Sequence, residues 1–155
     1  FGQRFSVCYQ IPEETKDISV PKMILQPLVE NAIIHGVEVL DRDGRLVVES
    51  ELSGGVLLLR VRDNGGGMDP EKLERMRQKL SGAQLSKEKD IVGYRAGIGV
   101  VNVNNRIRLT YGEEYGVTID SSPGQGTVVT LRMRAEEFGN VWKETVTFQG
   151  PFDMN

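Results

Sequence analysis

Cysteine is all but missing from this sequence: Cys8 stands alone among 155 residues. A single thiol closes no internal disulfide and builds no multi-thiolate metal centre, so the composition suits a reducing compartment and offers no support for secretion. A basic excess is missing too. Lys and Arg number 19 against 22 Asp and Glu, a formal charge of -3, which argues against a nucleic-acid surface built on bulk charge. The longest strictly apolar run covers only residues 56–59, far below the roughly 20 that a membrane-spanning helix needs. Histidine occurs once, as His35. No signal peptide is legible, and the opening Phe1-Gly2-Gln3-Arg4-Phe5 reads as a domain cut from a longer chain.

Glycine is plentiful. The 18 glycines exceed the average usage of about 7%, and they cluster at Gly65-Gly66-Gly67, at Gly93, Gly97 and Gly99, and at Gly124 and Gly126. Each cluster flanks a segment with strand or helix character rather than a low-complexity tract. Residues 4–11, 46–51, 56–62, 117–120 and 127–134 are rich in Val, Leu, Ile or Thr and predict five strands. Ser53-Gly54-Gly55 and Pro123-Gly124-Gln125-Gly126 read as hairpin connections, so two of the pairs should be antiparallel. Three helices follow from the remaining pattern. The first spans residues 20–35, with Ser19 as N-cap and a kink at Pro27. The second starts at Asp69-Pro70 and aligns Leu73, Met76 and Leu80. The third runs over residues 99–111 with Val100, Val103, Ile107 and Tyr111 on one face and Gly112 as its stop. Residues 81–96 form a long polar connection that reads as a mobile lid. Residues 1–134 read as one domain, with 135–155 as a tail or, through the loose alternation of residues 141–148, an added edge strand.

Four short segments carry chemical potential. In residues 25–36, Ile24, Leu28, Asn31 and His35 share a helix face, placing an amide and an imidazole on an apolar stripe. Asn31 is then either a satisfied core amide or a hard neutral ligand for Mg2+, which binds few protein groups when phosphates supply the rest. His35 is either a structural cap or a functional group. Asp63 closes a strand and leads into three glycines; it is either the head of an Asx turn or an acceptor for an exocyclic amine, with glycine backbone open to a flat ring. Gly97-Ile98-Gly99 opens a helix, where free N–H groups and the helix dipole favour phosphate. No strand is predicted ahead of it and no P-loop sequence occurs, which removes the dinucleotide-fold and Walker readings. Gly126-Thr127 precedes a strand, and a hairpin turn alone accounts for it, although the Thr127 hydroxyl is placed to meet a base.

In order and spacing these four segments resemble the N, G1, G2 and G3 boxes of the GHKL ATP-binding superfamily. Residues 25–36, Asp63 to Met68, and Gly97-Ile98-Gly99 with Asn102, Val103, Arg106 and Tyr111-Gly112 are similar to the catalytic domain of LytS and YesM type sensor histidine kinases of two-component systems. The resemblance covers about residues 4–134. It implies a two-layer α/β sandwich of the Bergerat type, with a mixed, mostly antiparallel sheet of about five strands packed against three helices. It implies Mg2+ on Asn31, adenine recognition by Asp63, a base pocket lined by Gly67 and completed by Thr127, phosphates near Gly97 and Gly99, and further nucleotide contacts from His35, Gly65, Met68 and Asn102. Glu30 would orient a metal-bound water, and Arg95 and Arg106 are candidate phosphate contacts.

Three departures qualify the match. The general-base glutamate that gyrase-type relatives carry four residues before the asparagine is Pro27 here. The Lys or Arg that many kinases carry three residues after it is Ile34, which leaves His35 as the substitute cation. The longer G-x-G-x-G pattern is cut short by Val101 and Asn102. The implied function is delivery of the ATP γ-phosphoryl group to a histidine on an upstream dimerisation domain, since His35 lies in the N box. The chain alone is expected to bind Mg-ATP without autophosphorylation or appreciable turnover. The implied partners are that dimerisation domain and a response regulator, without nucleic acid, and the implied location is the cytoplasmic part of an inner-membrane sensor. Two rival readings are an anti-sigma type serine kinase and a non-catalytic nucleotide-sensing or interaction module.

Overall fold

Alternating apolar residues over residues 44–63 and 116–134 build most of one sheet, because a period of two buries one face of each strand. A computed structural model describes residues 5–37, 43–82 and 97–135. Within them the strands are β1 Phe5–Gln10, β2 Gly44–Ser53, β3 Val56–Asp63, β4 Gly116–Ser122 and β5 Gly126–Arg134, in the order β1-β2-β3-β5-β4. β1 runs parallel to β2 and every other neighbour is antiparallel. The five expected strands, both hairpins and the mixed sheet are therefore present. Gly54-Gly55 forms the tight connection between paired Ser53 and Val56.

The helices lie on one side of the sheet and form the second layer. They are α1 Glu13–Lys16, α2 Gln26–Asn31, which continues as a π-helical turn over Ala32–Val37, α3 Pro70–Ser81 and α4 Ile98–Tyr111. α1 rests on β2, the π-turn on β2, β3 and β5, α3 on β4, and α4 on β4 and β5. Leu46, Val48, Val61, Val129, Leu131 and Ile119 of the sheet meet Leu28, Leu73, Val100, Val103 and Ile107 of the helices in one buried core. Burying such side chains stabilises by about 1.5–3 kcal/mol each. The buried hydroxyls of Thr15 and Ser50, 2.6 Å apart, pin α1 to β2. The opposite face of the sheet is charged: Arg60 pairs with Glu49 and Glu51, and Arg62 with Glu49.

The later two helices follow expectation. Asp69 caps α3 by accepting from the Lys72 backbone N–H at 2.8 Å, and Leu73, Met76 and Leu80 are buried. α4 buries Val100, Val103, Ile107 and Tyr111 and stops at Gly112. Asn104, 2% exposed, ties the layers by donating to the Leu80 carbonyl and accepting from the Val117 N–H. The first helix differs. Met23 adopts a left-handed φ of 59°, so no helix runs from residue 20, and α2 begins only at Gln26. Pro27 consequently sits in the first turn, where its missing N–H costs nothing, and makes no kink. Ser19 caps nothing there, and the short α1 adds a fourth helix. The lid reading for residues 81–96 falls beyond Gly82 outside the described residues, as does the alternating segment 141–148.

Candidate functional site

The helix-facing side of the sheet is apolar along most of its length and ends in a polar row. Strand register sets Asp63 of β3 opposite Thr127 of β5, and Thr127 opposite Ser121 of β4. The adjacent row on the same face is Val61, Val129 and Ile119, all buried. A carboxylate and two hydroxyls thus sit at one level on three neighbouring strands, at the edge of the core.

Asp63 is 6% exposed, and its Oδ1 accepts from the Gly65 N–H at 2.8 Å. Burial pushes its carboxyl above the ordinary carboxylate value, against the opposing pull of hydrogen bonds from the backbone of Gly65 and Thr127. Among the described residues no cation pairs with it. Burying an acid without a cation is unfavourable, and such groups in a cleft mark functional sites. Asn64 braces the same corner: it accepts from the Arg45 N–H at 2.7 Å and donates to the Asp43 carbonyl at 3.0 Å.

Ser121 is the hub of the row. Its hydroxyl lies 2.9 Å from the Met68 N–H, the Gly126 carbonyl and the Thr127 hydroxyl. The glycine loop after β3 is thereby fastened to the β4–β5 turn, and a bond from the Gly124 N–H to the Gly66 carbonyl at 2.7 Å adds a second tie. The fit is close. A Cβ on Gly67, at φ +69°, would lie 1.9 Å from the Ser122 carbonyl oxygen, and one on Gly126, at φ +86°, 2.0 Å from that of Asp63. Only glycine combines that backbone with that proximity.

The other end of the site is built differently. Asn31 is half-buried and closes α2 where the ladder widens into the π-turn that lies on β2, β3 and β5. That packing brings the end of α2 against the strands that bear Asp63 and Thr127. π-turns interrupt helices frequently at functional sites. Gly97, with φ 87°, starts α4, and no side chain among the described residues caps that helix, in contrast to Asp69 on α3. Its first-turn N–H groups are left for another acceptor. Gly99 has its missing Cβ directed at Pro27, 2.9 Å away, so α4 and α2 touch at this residue.

Of the residues named from the sequence, the structure brings Asp63, Gly65, Gly67, Met68 and Thr127 together at the end of the sheet, and it sets Gly99 of α4 against Pro27, one turn before Asn31 on α2. The single continuous face proposed for Ile24, Leu28, Asn31 and His35 is broken twice, because Ile24 precedes α2 and His35 falls in the π-turn. Glu30 is exposed and accepts from Gln26 at 2.9 Å. Asn102 is exposed on α4. Arg106 lies two turns beyond Gly97 and lines a separate groove of about 390 Å3 with Pro21, Lys22 and Tyr111, which sets it apart from both places. Arg95 is outside the described residues. Ser121 and Asn64 were missed. Ser121 had a readable signal, since it follows Val117 and Ile119 on the buried parity of β4.

Residues 16–137 match the family model described as histidine kinase-, DNA gyrase B-, and HSP90-like ATPase. The chain is 36% identical over 138 residues to the sensor histidine kinase YesM of Bacillus subtilis, a match covering 88% of this chain and 21% of that protein. It is 34% identical over 113 residues to the sensor histidine kinase YpdA of Escherichia coli, covering 73% and 18%, and 31% identical over 129 residues to the sensor protein LytS of Streptococcus mutans, covering 83% and 20%. The chain thus spans about a fifth of the length of these curated relatives. Among solved structures, the catalytic domain of histidine kinase ThkA superposes with a TM-score of 0.57 at 14% identity, over 84% of this chain and 80% of that one. The histidine kinase domain of the Erythrobacter litoralis blue-light activated kinase gives 0.54 at 16%, over 84% and 52%. Those two likenesses establish the fold.

Proposed function

From its membership of the histidine kinase-, DNA gyrase B- and HSP90-like ATPase family, to which this chain belongs, we propose that it is the ATP-binding catalytic domain of a sensor histidine kinase. Residues 1–134 form the nucleotide-binding unit, and the phosphoryl acceptor is a histidine on an upstream dimerisation domain of the parent protein. The observation that carries this reading is the buried Asp63, which pairs with no cation among the described residues and is aligned with Thr127 at the end of the helix-facing sheet.

ATP, when bound, supplies the γ-phosphoryl group for transfer. Asp63 accepts a hydrogen bond from the adenine amine, Thr127 completes the base pocket, and Gly65, Gly67 and Met68 line it with backbone. The uncapped start of α4, at Gly97 and Gly99, offers N–H groups to phosphate, with Asn102 one turn further on. Asn31 would lend its neutral amide oxygen to Mg2+. No group of three or more His, Cys, Asp or Glu gathers among the described residues, which suits a hard cation whose remaining ligands are phosphate and water. Glu30, next to Asn31 in the chain, would orient a metal-bound water, and His35 would stand in for the Lys or Arg that many kinases carry. Phosphoryl transfer relies chiefly on positioning and charge neutralisation, and Pro27, in place of a general-base glutamate, supplies no water activation.

The parent protein is a membrane-anchored sensor that passes phosphate to a response regulator. Among the described residues no helix is long and apolar enough to cross a membrane.

Calorimetric titration of ATP into the chain, with and without Mg2+, tests the proposal. Binding that strengthens with Mg2+, is lost on Asp63→Asn and loses its Mg2+ dependence on Asn31→Ala is expected. Absence of binding at millimolar ATP would overturn it. Phosphohistidine formation on an upstream helical domain supplied in trans distinguishes the kinase from the serine-kinase and interaction-module readings.

A further inference from the structure

We infer that residues 143–148 add a further strand to the sheet, pairing antiparallel with the free edge of β1 and covering the apolar stripe that β1 presents. The inference stands apart from the nucleotide reading and rests on how differently the two edges of the sheet are finished.

An edge strand carries a row of unpaired backbone groups that invites another strand, and folded proteins block it. β4, at one edge, is blocked by the helix layer. The Val117 N–H donates to Asn104 Oδ1 at 2.8 Å, and the Ile119 carbonyl accepts from the Arg77 guanidinium at 3.1 Å. β1, at the other edge, pairs with β2 alone among the described strands. Register sets Phe5, Val7 and Tyr9 beside Gly44, Leu46 and Val48, hence on the helix-facing side. Leu46 and Val48 are 0% and 1% exposed, whereas Phe5, Val7 and Tyr9 are 41%, 37% and 47% exposed. The core thus continues onto β1 as a contiguous exposed stripe, and such a stripe marks a contact surface.

The sequence supplies a matching partner. In residues 141–148, which lie outside the described ones, the even positions are Trp142, Glu144, Val146 and Phe148 and the odd ones Val141, Lys143, Thr145 and Thr147. That period of two gives one mostly apolar and one mostly polar face, in residue types that favour strands. β5 delivers the segment at the fitting end. The Ala135 N–H donates to the Gly55 carbonyl at 2.8 Å, so the chain leaves the sheet at the β2–β3 hairpin. The Gln10 end of β1 points the same way, since β1 runs parallel to β2 and Gln10 pairs with Glu49. A strand entering from there runs antiparallel to β1. The gap from Gly55 to a place beside Gln10 is about 20 Å by strand spacing and residue rise, and residues 136–143 reach about 26 Å when extended. The register that sets Val146 beside Val7 also sets Phe148 beside Phe5, and Thr147, Thr145 and Lys143 beside Ser6, Cys8 and Gln10. Both faces then match, apolar on the helix side and polar on the other, with Glu144 beside Tyr9 as the exception. Tethering within one chain favours this occupant over a second copy.

Cys8, the single cysteine, reads the pairing in the full chain. In Thr145→Cys, mild oxidation with oxidised glutathione should close an internal disulfide to Cys8, because directly opposed strand residues lie within reach of one. Mass spectrometry should find it at least tenfold more often than in Glu144→Cys or Val146→Cys, whose side chains take the other face. Equal yields at the three positions would mean a tail without fixed pairing and would overturn the inference. So would a wild-type chain that oxidises to a Cys8-linked dimer while Thr145→Cys closes no internal bond, the result expected of a second copy on this edge. Hydrogen exchange gives an independent reading: Val146→Asp should speed exchange of the β1 amides at least tenfold and Lys143→Asp should not. Equal β1 rates in wild type and Val146→Asp overturn the inference as well. Neither readout involves nucleotide, so such a result leaves the proposed ATP site as it stands.

Discussion

The two ends of the site are made of different material. At the Asp63 end, side chains and backbone of three strands close a hydrogen-bonded lattice around Ser121, with glycines set within van der Waals distance of carbonyls. At the Asn31 end, what matters is backbone: a helix start at Gly97 that no side chain among the described residues caps, a π-turn after α2, and a close packing of Gly99 on Pro27. The first end is held in place by the protein's own hydrogen bonds. The second offers helix-terminal N–H groups, uncapped by any side chain among the described residues, that a ligand would complete. Recognition of a base needs fixed donors and acceptors, whereas phosphates and a hydrated cation are held by charge and by N–H groups that tolerate adjustment.

The sharpest way to break the contrast is Gly67→Ala. Its new methyl group would lie 1.9 Å from a carbonyl oxygen at a left-handed φ, so the loop must move and the Met68–Ser121 bond with it. Strain and overpacking of this kind destabilise by about 1–3 kcal/mol each, and nucleotide affinity should fall at least a hundredfold. The neighbouring Gly66→Ala has open space around its Cβ and should change stability by less than about 0.5 kcal/mol. Urea unfolding of the two variants side by side checks the pair.

Gly99→Ala probes the other end. Here the methyl meets the Pro27 side chain at 2.9 Å, and α4 gains helix propensity worth up to about 1 kcal/mol. These terms partly offset, so stability should shift by no more than about 1 kcal/mol, while Mg-ATP binding weakens several-fold as the helix start moves. Equal losses from Gly67→Ala and Gly99→Ala would erase the distinction between the ends.

The smallest effect concerns pH. The Asp63 carboxyl has a higher pKa folded than unfolded, so the native state holds its proton longer. Its contribution to stability is present below the unfolded value and is lost as pH rises through the folded value. Relative to Asp63→Asn, wild type should therefore lose stability over the window that opens at the ordinary carboxylate value and closes at the raised one. A difference that grows in the opposite direction would mean that the backbone bonds outweigh burial.

The sheet was legible because strand periodicity and turn glycines are local signals, and because Asp69-Pro70 and Gly112 punctuate α3 and α4 unambiguously. The site glycines and Asp63 were legible for the same reason, as strand ends meeting turns. The start of α2 was not. Ser19 and Pro21 satisfy a helix-start pattern as well as Gln26-Pro27 does, and the choice falls to the left-handed turn at Met23, which buries Ile24 to 1% exposure outside any helix. Four residues of α1 are too few to show a period, and no residue pattern in Ala32–Val37 announces a π-turn. Ser121 escaped because its role is long-range: two of its partners, Gly126 and Thr127, are close in sequence, but Met68 is 53 positions away.

The π-turn makes chain length itself a gauge of the site. A π-turn is an α-helix that has absorbed one extra residue, and each residue of an α-helix turns the chain by about 100°. Deleting one residue within Ala32–Val37 would let the ladder close as regular α-helix, yet it would swing Asn31 a quarter-turn or more about the axis relative to β3 and β5. The straighter helix would be the better secondary structure, and the asparagine at its end would stand at a different angle to the strands that carry Asp63 and Thr127.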